Sequence, residues 1–184
     1  MGRKISIPKK RYIFHIMREK MLIENIMPEL PDDNTVYKLV THGGFSSIGF
    51  VKVVADKTRI NNLTISSLRV GRKHLMVLDE LYRRNKLKHV RFIVGSVVKN
   101  KCEQKYGYYD TLVEICKANN WEQVIRKNHS KLLLFDTDAG KYVLETSSNL
   151  NENPSIEQFS FEKSNELYNF YNKFLSEIFG GGEI

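Results

Sequence analysis

The chain lacks the features that mark secreted, metal-binding and membrane-spanning proteins. Its 184 residues include two cysteines, Cys102 and Cys116, which lie apart and without a histidine at metal-ligand spacing. We therefore expect reduced thiols rather than a disulfide framework or a zinc site. No apolar run approaches the ~18 residues of a membrane span, and the basic start leads into no signal-peptide apolar region. The expected location is the cytoplasm, with no membrane partner.

Acidic residues are outnumbered. The chain has 29 Lys and Arg residues against 21 Asp and Glu residues, which gives a formal net charge of +8. An excess of this sign favours a polyanionic partner, and nucleic acid is the most common one. Hydrophobic residues make up 41% of the chain and charged residues 27%, which is typical of a globular protein rather than a disordered one.

The length predicts one main domain with a short addition at its start. Residues 1–34 begin with several basic side chains, and apolar residues over 12–27 partly follow helical spacing until Pro28 and Pro31 end the pattern. We interpret residues 1–34 as a basic N-terminal arm and helix, and residues 35–184 as a single domain. The arm either tracks phosphates or packs against the domain with a solvated tail.

Strand and helix patterns alternate from residue 36 onward. The predicted strands cover residues 36–40, 60–70, 90–98, 121–127 and 156–161, with a hairpin around residues 137–140; the predicted helices cover residues 48–55, 74–84, 108–119 and 165–179. Alternation of elements with these lengths argues for a sheet covered by helices on both faces. The fold class expected from the pattern is therefore α/β.

The basic residues concentrate in the segment 69–105. Eleven Lys and Arg residues stand there against three acidic ones, so this segment alone carries an excess of +8. Such a run is either a solvated face or the footprint of a nucleic acid. No zinc finger or recognition-helix signature accompanies it, so the sequence predicts no base-specific readout.

Polar side chains cluster at the open end of the predicted hairpin. His129 and Lys131 stand two residues apart at the entrance to an apolar run, and a strand would direct both to one face. On the returning strand, Ser147 and Asn149 share a face in the same way. The four side chains are therefore expected to converge at one end of a paired strand unit.

These residues carry a resemblance to a known family. His129-x-Lys131-x4-Asp136, followed by Thr146-Ser147-x-Asn149, resembles the HKD motif of the phospholipase D superfamily, H-x-K-x4-D followed by G-S-x-N. An acidic residue further along, Glu157, fits the same pattern. Thr146 replaces the glycine of the second motif, and its side chain would crowd a phosphate that approaches the backbone. The resemblance implies a phospholipase D-like fold, a mixed β-sheet with helices on both faces.

The resemblance also implies a role for each residue. His129 would be the nucleophile that forms a covalent phosphohistidine, and Glu157 would hydrogen-bond a histidine and fix its tautomer. Lys131 and Asn149 would hold the non-bridging phosphate oxygens, with Ser147 as a further donor. Asp136 falls on the opposite strand face from Lys131 and is expected to be structural support. Neither a metal nor another cofactor is expected.

Only one copy of the first motif is present. The four other histidines, His15, His42, His74 and His89, each lack a lysine two residues later. Superfamily catalysis uses two histidines, one to attack and one to protonate the leaving oxygen. A second chain must supply the missing half, so we expect a symmetric homodimer with the site at its two-fold interface. Short single-motif bacterial nucleases of the superfamily are similar in this respect.

Three functions remain open from the sequence. The first is a metal-independent nuclease of low sequence specificity that acts on DNA or RNA. A lipid phosphodiesterase is a weaker alternative, because no amphipathic membrane-binding stretch is found. The third is a nucleic-acid-binding module of a DNA-processing or restriction system whose active site has decayed, and Thr146 is the feature that favours it.

Overall fold

The computed structural model describes residues 10–17, 27–100, 107–151 and 154–180, with the backbone alone at 15–17. Within these ranges the strands are β1 (Arg11–Met17), β2 (Thr35–Thr41), β3 (Ile60–Ser67), β4 (Leu87–Gly95), β5 (Glu122–Arg126), β6 (Leu132–Thr137), β7 (Gly140–Thr146) and β8 (Glu157–Lys163). The helices are α1 (Ile48–Lys57), α2 (Arg72–Arg83), α3 (Tyr108–Asn119) and α4 (Asn165–Phe179), and a 3-10 turn, Ser96–Lys99, follows β4. None of the helices in these ranges has the length and apolarity needed to cross a bilayer.

All described strands form one mixed sheet. Its order is β1-β2-β8-β7-β6-β3-β4-β5. The pairs β1/β2, β3/β4 and β4/β5 are parallel, whereas β6, β7 and β8 form an antiparallel meander between the two parallel groups. The mixed α/β class expected from the sequence is confirmed. As a consequence, one end of the sheet holds the last residues of β2, β3, β4, β5 and β7 and the first residues of β6 and β8. We call this end the carboxyl edge.

The sheet is buried on both faces around β6. Leu133 and Phe135 pack into the larger core with residues of α1, α2 and α3. Leu132 and Leu134 face the opposite side and pack with Tyr168 and other residues of α4. A strand covered on both faces loses the usual alternation of apolar and polar residues, which explains the unbroken apolar run after Lys131.

The helix expected over residues 12–27 is wrong where the structure describes it. Residues Arg11–Met17 form β1, which pairs in parallel with β2 along its whole length. Aromatic and β-branched residues at 12–14 suit a strand, and the open edge of β2 satisfies their backbone groups in a way that local helical spacing cannot reveal. Residues 18–26 lie outside the described part. The boundary proposed at residue 34 therefore separates two strands of one sheet.

Two predicted strands end earlier than expected. The strand expected over 60–70 stops at Ser67, whose hydroxyl donates to Arg69 O at 2.6 Å and accepts from Leu150 N at 2.9 Å. The strand expected over 90–98 stops at Gly95, where the 3-10 turn begins. Both strands end at the carboxyl edge because of local contacts there. The spacing of apolar residues along the sequence does not reveal such contacts.

One arginine fastens α4 to the sheet. Arg91 on β4 donates to Thr64 Oγ1 at 2.9 Å, to Asn172 Oδ1 at 2.7 Å and to Ser176 Oγ at 3.3 Å. Its guanidinium carbon also lies 5.2 Å from the centre of the Phe179 ring. This residue counted toward the basic segment in the sequence, but its charge is engaged inside the fold.

Replacing Arg91 with Ala should lower the free energy of unfolding by about 2–3 kcal/mol, because several hydrogen bonds to a charged, half-buried group are lost together. Urea denaturation followed by circular dichroism measures it. Arg84→Ala is the control: Arg84 makes an exposed ion pair with Glu80, whose loss should change stability by less than about 0.5 kcal/mol. Equal effects of the two substitutions would show that Arg91 does not anchor α4.

Candidate active site

Four of the motif residues meet at the carboxyl edge. Lys131 directly precedes β6, Ser147 and Asn149 follow β7, and Glu157 begins β8. The register places Leu132 opposite Glu145 and Thr146 opposite Phe159, so the ends of these three strands lie side by side. Sheet pairing across the meander therefore brings the backbone segments of these residues to one end of the sheet.

His129 and Lys131 stand in the loop between β5 and β6 rather than within a strand. The Nζ atom of Lys131 lies 3.1 Å from His129 Nδ1 and donates to the carbonyl oxygen of His129 at 2.8 Å. An ammonium group only donates, so a neutral His129 ring facing it accepts at Nδ1 and carries its proton on Nε2. The imidazole itself is exposed to solvent.

Asn128 holds this segment in place. Its Nδ2 donates to Ser66 Oγ and to Ile93 O, both at 3.0 Å, and its Oδ1 accepts from Ser130 N at 2.9 Å. Gly95 at the end of β4 makes the close approach possible, because a Cβ there would lie 2.9 Å from Asn128 O. The residue before the candidate nucleophile therefore ties it to the ends of β3 and β4.

Glu157 and Ser147 form a second polar pair. Glu157 is 5% exposed, and its carboxylate accepts a hydrogen bond from Ser147 Oγ. The same Ser147 hydroxyl accepts from Gln158 N at 3.0 Å. In this arrangement Ser147 orients the buried carboxylate, whereas the resemblance casts it as a donor to substrate.

Burial lowers the pKa of Lys131, and the negative charge of Glu157 opposes that effect. The lysine and the carboxylate therefore act on each other across the site. A partly desolvated ammonium beside a buried carboxylate is a suitable place for the non-bridging oxygens of a phosphodiester, which would replace the lost hydration of the lysine.

Thr146 ends β7, and Asn149 lies in the turn that follows. The Thr146 hydroxyl donates to Gln158 O and accepts from Ser148 N, both at 2.9 Å, so the residue that replaces the motif glycine is fixed by two hydrogen bonds. The Asn149 Oδ1 atom is shielded from solvent and has no hydrogen-bond partner among the residues that the structure describes. A shielded acceptor without a partner reduces the stability of the turn.

Asp136 lies apart from these groups. It stands five residues beyond Lys131, roughly 16 Å along the strand, and accepts from Asn62 Nδ2 at 3.4 Å. Its structural role stays a prediction. Within the described ranges, no three His, Cys, Asp or Glu side chains are grouped closely enough to hold a metal ion.

The basic segment is divided between the two ends of the sheet. Because α2 begins after β3, Arg72 and Lys73 lie toward the carboxyl edge, and Lys99 follows β4 at that edge. By contrast, Arg83, Arg84, Lys86 and Lys88 surround the start of β4 at the far end, and the two arginines pair with Asp79 and Glu80. Lys101 and Lys105 lie outside the described part. The excess of +8 is therefore not one continuous footprint.

An open groove lies beside the site, and the sequence pattern does not predict it. The groove has a volume of about 580 Å³, starts at Ser130 and Lys131, and reaches Lys38 on β2 and Phe14 on β1. Phe14 and Lys38 share a sheet face because Arg11–Met17 form a strand rather than the helix expected over residues 12–27.

No protein-family model and no curated protein matches this chain. Among solved structures, polyphosphate kinase from Porphyromonas gingivalis superposes with a TM-score of 0.59 at 15% identity, over 90% of this chain and 28% of the kinase. TrmBL2, an archaeal chromatin protein with a novel mode of DNA binding, gives a TM-score of 0.49 at 13% identity, over 79% of this chain and 53% of TrmBL2. The chain thus spans about a quarter of the first and half of the second. The likeness to the kinase shows a phospholipase D-like fold.

Asn128→Asp should lower the free energy of unfolding by about 2–3 kcal/mol at neutral pH, because a carboxylate cannot donate to Ile93 O and is left facing that carbonyl. The loss should shrink at acidic pH, where the protonated acid donates again. Urea denaturation over a pH series measures both effects. The control is Asn169→Asp on the exposed face of α4, and a loss as large in that variant would remove the special role of Asn128.

Lys131→Met should raise the melting temperature at pH 7. A lowered pKa means that the folded chain holds the lysine proton less tightly than the unfolded chain, so the charged ammonium disfavours folding at neutral pH. The gain should fade as the pH rises through the folded-state pKa toward the ordinary value of 10.5. Thermal melts at several pH values test this prediction. The control variant is Lys86→Met, which replaces an exposed lysine. A lower melting temperature at pH 7 contradicts it.

Proposed function

We propose that this chain is a metal-independent phosphodiesterase, a nuclease of low sequence specificity that cleaves DNA or RNA through a phosphohistidine. The observation that supports this most is the grouping of His129, Lys131 and Glu157 at the carboxyl edge of a phospholipase D-like sheet. In this proposal His129 and Lys131 meet the phosphate, and the net charge of +8 favours a nucleic acid as its source.

The proposed reaction has two steps. In the first, Nε2 of His129 attacks phosphorus, the bond from phosphorus to the leaving oxygen breaks, and that oxygen takes a proton from a second histidine. In the second, water attacks the phosphohistidine, gives a proton to the same second histidine and releases His129. Lys131 and Asn149 hold the non-bridging oxygens in both steps, where negative charge develops.

The contact between Lys131 and His129 is compatible with an enzyme that has no substrate bound. Attack through Nε2 needs a free electron pair there, so the proton must stand on Nδ1, which Lys131 faces in this structure. When Lys131 turns to a phosphate oxygen, Nδ1 becomes free to carry the proton. The buried carboxylate of Glu157 is the proposed acceptor that then fixes this tautomer.

The second histidine is the reason that we propose a homodimer. A single chain carries one HKD motif, and two-histidine chemistry requires another. His129 is exposed at the carboxyl edge, where the same residue of a second copy can reach the substrate. The site would then lie on the two-fold axis, with each copy contributing one complete motif.

A binding module that has lost cleavage is the second candidate. Thr146 favours it, because its hydroxyl is fixed between Gln158 O and Ser148 N, where the family motif has a glycine. A Thr146→Gly variant separates the two functions. Cleavage that appears only in this variant would assign the wild-type chain to the module.

Cleavage of single-stranded and double-stranded DNA and RNA should persist in excess EDTA and should fall by more than about 10³-fold in His129→Ala, since the nucleophile is lost. Product formation on end-labelled oligonucleotides measures it. His89→Ala is the matched control, since His89 pairs with Glu122 far from the site and should not be needed. Cleavage that requires Mg²⁺, or that survives in His129→Ala, would refute the mechanism.

Activity of mixed dimers tests the shared site. Wild-type chain is co-refolded with increasing amounts of His129→Ala chain at constant total concentration. If one site needs both histidines, activity should fall with the square of the wild-type fraction, because only wild-type pairs are complete. A linear fall, or a monomer by light scattering with full activity, would show that each chain acts alone.

A further inference from the structure

One row of side chains crosses the sheet face that α4 leaves partly open. The strand registers place Phe14, Lys38, Ser160, Glu145 and Leu132 next to one another on β1, β2, β8, β7 and β6. All five line the groove described above. Four strand spacings of about 4.8 Å make the row about 19 Å long, enough for several nucleotides of an extended strand.

The groove is continuous with the candidate active site. Ser130 and Lys131 line its inner end, and Phe14 lines its outer end on the edge strand. A polymer lying in the groove would therefore pass Lys131 and the neighbouring His129. Of the candidate site residues, Lys131 lines the groove, so the groove reaches the site at this lysine.

Aromatic rings lie in and beside the groove, at both of its sides. Phe14 is 74% exposed and Tyr12 53% exposed, and their rings are stacked with centroids 6.1 Å apart. On the other wall, Tyr171 lines the groove and contacts Phe170, which is 47% exposed. Large exposed aromatic surfaces cost hydration free energy and mark a binding surface when they occur together.

Cationic and polar groups form the floor between the aromatic walls. The ammonium of Lys38 lies there with its Nζ atom 2.7 Å from Ser160 Oγ, and Gln158 follows on the same strand. Glu145 is the one carboxylate among the described lining residues, and the Tyr171 hydroxyl donates to it. Lys38 and Lys131 therefore give the groove two positive positions, one at each side of Glu145.

We propose that this groove binds a single strand of nucleic acid, with bases stacked on Phe14 and backbone phosphates held by Lys38, and delivers a phosphodiester to Lys131. The combination of exposed aromatic faces with a basic track is the chemistry that binds unpaired strands, since every base has a face to stack. In a duplex these faces are covered by neighbouring base pairs. Binding by the groove stands by itself, whereas cleavage of the bound strand rests on the function proposed above.

A second copy of the chain fits this surface less well. The floor contains Lys38, Gln158 and Ser160, and burying them against another protein would need a partner for each polar group. A polyanion satisfies the charge and the hydrogen-bonding groups together.

Binding is tested in a His129→Ala background, in which the proposed cleavage cannot consume the probe. Fluorescence anisotropy with a labelled single-stranded oligonucleotide should show that Phe14→Ala weakens binding about tenfold or more, through the loss of one stacking platform. Phe14→Leu keeps the apolar bulk and should weaken binding as well. Lys38→Gln should reduce the slope of log affinity against log salt by about 0.7.

Two controls lie away from the groove. Lys86→Gln changes an exposed lysine at the far end of the sheet, and Met76→Ala changes a 49% exposed apolar residue on α2. Neither should alter the affinity as Phe14→Ala does. All variants are at exposed or half-exposed positions, and their melting temperatures verify folding before binding is compared.

Three results would overturn the proposal. One is unchanged single-strand affinity in Phe14→Ala, and another is equal competition by a duplex of the same sequence. The third is a loss of dimer mass in Phe14→Ala, which would assign the groove to a second copy. Cleavage is measured separately from binding. A wild-type chain that binds the strand through Phe14 but does not cleave it would refute the nuclease proposal alone. A nuclease whose activity does not change when Phe14 or Lys38 is replaced would refute the groove proposal alone.

Discussion

The insertion of β8 between β2 and β7 is the constraint on which the rest of the structure depends. This strand pairs antiparallel with both neighbours and joins the β1/β2 group to the meander. Its first residue, Glu157, is thereby buried against Ser147, and its alternate residues Gln158 and Ser160 form the floor of the groove. A slip of one residue would turn every β8 side chain to the other face, so the register fixes the site and the groove at once.

The carboxyl edge carries polar groups that the fold satisfies only in part. Asn128 is fully engaged with the ends of β3 and β4, whereas Asn149 Oδ1 is shielded and lacks a partner among the described residues. Lys131 is partly desolvated, which lowers its pKa. Unsatisfied polar groups and desolvated charges reduce stability, and their concentration at one edge is typical of a place where a ligand completes the interactions.

The sequence predicted helices well where the residues of the segment itself specify the helix. The helices at Tyr108–Asn119 and Asn165–Phe179 match their expected bounds, because an amphipathic stripe and the flanking turn residues specify a helix from within the segment. It failed at β1, where a mixed apolar pattern of similar helical spacing forms a strand. A parallel edge strand gains its hydrogen bonds from a distant partner, here β2, so nothing inside the segment reveals the pairing.

The candidate site shows the same division. Motif spacing by itself determined the candidate residues, since the types and intervals of His129, Lys131, Asn149 and Glu157 can be read from the sequence. Only the tertiary structure decided that Ser147 faces Glu157, that Asn128 anchors the segment, that Arg91 is engaged under α4 and that Phe14 shares a groove with Lys131. The physical reason is that residue chemistry is local, whereas orientation and burial depend on which strands pair and in what register.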